Sequence, residues 1–194
     1  MFKIEVSGIE TLDKDYDEQL KVIDKAIPAG LSVVGNEMAA ALQRHVQQDV
    51  YAAYSPEAYK RTGEMGDINN MTTTIDKASN TLVFDYRFGT GSARPYFKDS
   101  DQVIAAIQDS DYLWNVSNRD IPKRPFWDNF FNELFSDNRV DEYFARGMNQ
   151  AEPELQAFAA DGSVILTGDD IQDLHEPFSM SGGIEYAPVG DDED

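Results

Sequence analysis

Leu31-Ser-Val-Val-Gly-Asn-Glu-Met-Ala-Ala-Ala-Leu-Gln-Arg-His-Val-Gln-Gln-Asp-Val50 decides the fold. Leu31, Val34, Met38, Leu42, Val46 and Val50 recur three or four residues apart, which places them on one face of a helix. Upstream, Leu12, Tyr16, Leu20, Ile23 and Ile27 keep that spacing as far as Pro28. Pro28 has no backbone N–H and biases Ile27 away from helical backbone, yet it suits the first turn of a new helix. The stretch therefore reads as two helices or one kinked helix, supplying one side of a core.

On the N-terminal side, Phe2, Ile4 and Val6 alternate with Lys3 and Glu5, the pattern of a short strand closed by Ser7-Gly8. On the C-terminal side, Tyr51 to Gly66 reads as a loop or arm carrying Tyr51, Tyr54 and Tyr59. A hairpin follows: β-prone Met71 to Ile75, a turn at Lys77 to Asn80, then Leu82, Phe84, Tyr86 and Phe88 alternating with Val83, Asp85 and Arg87. Val103, Ile104 and Ile107 mark a short helix. After Pro125, the residues Phe126, Trp127, Phe130, Phe131, Leu134 and Phe135 form an aromatic helical stripe, which Val140, Tyr143, Phe144 and Met148 extend or follow as another helix.

The fold class expected is α+β. N-terminal helices pack on a small, mostly antiparallel sheet, with a late aromatic amphipathic helix and an extended acidic C-terminal arm. Residues 1–150 form the body and 151–194 the arm. Ser163 to Thr167 reads as one strand of that arm. The rest is Asp, Gly, Pro and Ser with scattered anchors, Ile171, Leu174, Phe178, Ile184 and Tyr186, which would order against a neighbour.

The chain has 194 residues, 41% of them hydrophobic, enough for a sizeable core plus an appendage. It has no cysteine, which removes disulfides and thiolate metal sites. No apolar run reaches the roughly 18 residues of a membrane span, and the start lacks a signal-peptide pattern, so it reads as soluble. The net charge is −20, and all 16 Lys and Arg lie at or before Arg146. From Gly147 onward there are 12 acidic residues and no Lys or Arg. That sign opposes the phosphate backbone, so no specific nucleic-acid binding is expected.

Enzymatic signatures are absent from the sequence. His45 lies near the apolar face of the long helix and His175 in the acidic arm, neither in a known nucleophile pattern. Gly89-Thr90-Gly91 fits neither a P-loop nor a dinucleotide fingerprint. Asp169, Asp170, Asp173 and Glu176 miss the spacing of a calcium loop. The expectation is a protein without catalytic residues, cofactor or metal.

Three motifs remain. In Arg61-Thr62-Gly63 the glycine supplies a positive φ and the threonine a hydroxyl-to-backbone bond. Phe88-Gly89-Thr90 ends a strand and lets the chain reverse. In Arg124-Pro125-Phe126 the proline starts a helix, Phe126 staples it to the core, and Arg124 reaches carboxylates or carbonyls within or between subunits.

Together with Val6-Ser-Gly8-Ile9-Glu-Thr-Leu12, this ordered set resembles the neck, or minor tail-component, family of long-tailed double-stranded DNA bacteriophages. The resemblance covers roughly residues 4–135. Arg87 stands where the family often has an acidic residue, and 93–121 looks like an insertion. The resemblance implies a structural protein of the virion neck or tail, assembled in the host bacterial cytoplasm. It would form a homo-oligomeric ring, six- or twelve-fold, around the DNA channel. Its partners would be a head-completion or adaptor protein and a tail terminator or tail tube protein, with no membrane involved. Two other readings stand beside it: a small acidic DNA mimic that occupies a host nucleic-acid-binding protein, and a hydrolase using clustered carboxylates.

Overall fold

A computed structural model of the chain describes residues 2–5, 17–53, 62–89, 98–108, 123–136, 138–153, 155–160, 163–167, 178–179 and 185–188. The architecture is α+β: strand β1 (Phe2–Glu5), helix α1 (Asp17–His45), strands β2 (Met71–Asp76) and β3 (Thr81–Tyr86), and helices α2 (Ser100–Gln108), α3 (Phe126–Phe135) and α4 (Arg139–Ala151). Strands β4 (Gln156–Ala160), β5 (Ser163–Thr167), β6 (Phe178–Ser179) and β7 (Glu185–Pro188) follow. No helix among the described residues is long and apolar enough to cross a membrane.

Two compact units divide the chain. The first holds residues 1–37, 73–85 and 134–194; the second holds 38–72 and 86–133. In the first unit the sheet order is β2-β3-β1-β7, with β1 antiparallel to both neighbours. Ile4, opposite Leu82, is buried, as are Leu82 and Phe84, so one face of the hairpin strand carries the core as its alternation requires.

α1 is one helix with Pro28 inside it, which settles the alternative left open by the sequence. Pro28 removes the bond to the Asp24 carbonyl, but Asp24 is exposed, so water can serve that oxygen. Ile23, Ile27 and Leu31 on either side of the proline are all buried, and that burial outweighs the lost bond.

Helix α4 meets the first half of α1 at two glycines. A Cβ on Gly30 would lie 2.6 Å from the Phe144 ring, and one on Gly147 would lie 2.7 Å from both the Ala29 carbonyl oxygen and the Gly30 Cα. Lys25 pairs with Glu152 and Arg146 with Glu37 along this contact. α4 is separate from α3; Asn138, at φ +53°, turns the chain between them.

The C-terminal region contains the expected strand at 163–167 and more than was expected. β4 and β5 form an antiparallel pair, extended by β6. The Asn149 side chain of α4 donates to the Ala157 carbonyl at 2.7 Å and accepts from the Ala157 N–H at 2.8 Å, taking the place of a further strand. Phe178 pairs opposite Leu166, and Tyr186 opposite Ile4. These two expected anchors therefore pair inside their own chain, because strand edges need backbone partners and β1 and β5 offer them. Ile171 and Leu174 lie outside the described residues.

Candidate functional site

The second unit is built from the exit of α1. The helix widens into a π-helical segment, Val46–Ala52, with Val46 and Val50 buried. This segment presents the Tyr51 hydroxyl to the Gly66 N–H at 3.2 Å, and Gln43 Nε2 donates to the Gly66 carbonyl at 2.9 Å. Two short 3-10 turns, Glu64–Gly66 and Ile68–Asn70, lie in this grip.

The first motif enters these turns as its sequence predicts. Gly63 has φ +82° with nothing within 4 Å of a Cβ position, so backbone conformation alone calls for glycine. Thr62 Oγ1 accepts a weak bond from the Glu64 N–H at 3.5 Å. Asn70 Nδ2 donates to the Glu64 carbonyl at 2.8 Å, and the Arg87 N–H donates to the Asn70 carbonyl at 3.0 Å. The end of β3 is thereby tied to the turn.

Tyr86 joins the second motif to the first. Its hydroxyl donates to the Met65 carbonyl at 2.8 Å. Burial pushes this phenol far above its ordinary range, so it stays a donor. Three residues on, a Cβ at Gly89 would sit 2.6 Å from Glu64 Oε2, so glycine lets the Thr-Gly-Glu and Phe-Gly segments touch. That oxygen is buried and has no hydrogen-bond partner among the described residues.

The third motif reaches the same place through Trp127. The Arg124 N–H donates to the Ile107 carbonyl at 3.2 Å, and the Trp127 N–H to Gln108 Oε1 at 3.3 Å, so the end of α2 seats the start of α3. The Asn129 N–H donates to the Pro125 carbonyl at 2.9 Å as the helix opens. Phe126 is completely buried, which fits its expected role as a staple. Trp127 stacks on Tyr86 with ring centres 5.9 Å apart and packs against Phe130 and Phe131. Arg124 is itself buried at 7% exposure, within its own chain.

A polar network lies on the other side of α3. Glu133 accepts from Arg44 and lies 2.8 Å from His45 Nε2, while His45 Nδ1 lies 2.8 Å from Asp49 Oδ2. Asn129 Nδ2 donates to that same Asp49 oxygen at 3.0 Å. Burial pushes the Glu133 carboxyl up, but the hydrogen bonds from Arg44 and His45 outweigh it and hold the group below its ordinary range.

Of the predicted residues, Thr62, Gly63, Phe88, Gly89, Arg124, Pro125 and Phe126 belong to this one unit; Phe88 and the motif neighbours Met65 and Trp127 contact Tyr86. Arg61 and Thr90 lie outside the described residues. Sequence reading missed Glu64, Asn70, Tyr86 and Trp127 as joints. Of the polar network only the His45–Asp49 spacing was a readable signal. Thr62, Gly63, Asp67, Asn69, Gly89 and Pro125 of this unit are exposed, and Ile68 is a large apolar residue 45% exposed. Such an arrangement makes a stiff presenting surface. Among the described residues no group of three or more His, Cys, Asp or Glu is placed to hold a metal ion.

A model of the family described as YomN matches residues 9–150, more than two thirds of the chain. That span takes in all three motifs and the whole of the second unit. No curated protein and no solved structure matches significantly.

Proposed function

The chain belongs to the YomN family, a family of bacteriophage type, and from that premise we propose that it is a structural protein of the phage neck. In this reading it joins or completes the head–tail connection as part of an oligomeric ring around the DNA channel. It contacts a head-completion or adaptor protein on one side and a tail terminator or tail tube protein on the other. It carries out no catalysis.

The observation that carries the reading is the convergence of the three motifs on Tyr86. Motifs kept for catalysis bring reactive groups together; these bring together glycines, aromatic rings and backbone bonds. The product is a braced set of turns whose exposed residues include Thr62, Gly63, Gly89 and the apolar Ile68. Turns of that kind suit a fixed contact with a neighbouring protein. The net charge of −20 agrees with a wall that DNA passes without adhering.

The test is Ile68→Asp, a change at these turns that leaves the buried residues in place. Cells infected by phage carrying it should accumulate tailless heads and free tails, while the purified variant melts as the parent does. Normal particles in normal yield would remove the turns from the contact. Normal particles from phage deleted for the whole chain would remove the neck reading itself.

A further inference from the structure

We draw no further inference here: the strongest candidate, the groove between helix α4 and strand β4 lined by Glu142, Ala145, Arg146, Asn149, Ala157 and Ala159, carries nothing because nothing in the structure shows what covers it.

Discussion

Inside the second unit, Tyr86 is 4% exposed, donates its hydroxyl to the Met65 carbonyl and lays its ring on Trp127. Tyr86→Phe keeps the ring stacking and removes only the donor, stranding a carbonyl in an apolar setting. The expected loss is about 1–2 kcal/mol in denaturant unfolding, with aromatic circular dichroism preserved. Asp141 in the first turn of α4 makes a contrasting case. It is 4% exposed, Oδ1 has no hydrogen-bond partner among the described residues, and burial pushes its carboxyl above the ordinary range. The folded chain thus holds that proton more tightly than the unfolded chain does. Its contribution to stability is greatest below the usual carboxylate range near about 4 and declines as pH rises through the raised value. Asp141→Asn should therefore melt above the parent at pH 7, and the gap should close on acidification. Glu133 has the opposite sign: held below its ordinary range, it stabilises above that range and loses its contribution as pH falls.

Packing of elements is most demanding where α4 crosses α1. The atoms that a Gly147 Cβ would strike are backbone, the Ala29 carbonyl oxygen and the Gly30 Cα, which cannot swing aside. Gly147→Ala should lower stability by about 1–3 kcal/mol despite the better helix propensity of alanine, as measured by urea unfolding. Gly89→Ala meets only the end of the Glu64 side chain and should cost less. The same elements show what the sequence could convey. The β2–β3 hairpin was legible because period-two alternation is local, and α1 because its stripe is long. Whether Pro28 broke that helix was not legible, since the answer depends on burial of Ile27 and Leu31 by residues far along the chain. β4 was missed because Gln156-Ala-Phe-Ala-Ala160 is poor in β-branched residues and relies on Asn149 for an edge. β6 and β7 were missed because their partners, such as Ile4 for Tyr186, are distant in sequence. At the candidate site, the positive φ of Gly63 and the burial of Phe126 could be read locally. The meeting of Met65, Tyr86 and Trp127 could not, because nothing in the motifs encodes which distant ring or carbonyl each will find.

Charge acts on the whole molecule. Sixteen Lys and Arg face 36 Asp and Glu, and the basic residues stop at Arg146. The structure reduces their reach further: Lys25, Arg44 and Arg146 are engaged by Glu152, Glu133 and Glu37. Duplex binding draws its free energy from counterions released when cations meet phosphates. A chain of this sign, with three of its sixteen Lys and Arg paired to its own carboxylates, releases few and pays Coulombic repulsion besides. The expected result is no measurable binding of random duplex DNA at about 150 mM salt, followed by fluorescence anisotropy. Lowering the salt should not rescue it, because weaker screening strengthens repulsion between like charges. That direction separates a wall that DNA passes without adhering from a DNA-binding surface. A protein using a local basic patch would bind more tightly as salt falls, with a linear dependence of log affinity on log salt. A micromolar complex with that dependence would show that the negative field is locally overcome, and the channel wall would then be a surface that grips DNA.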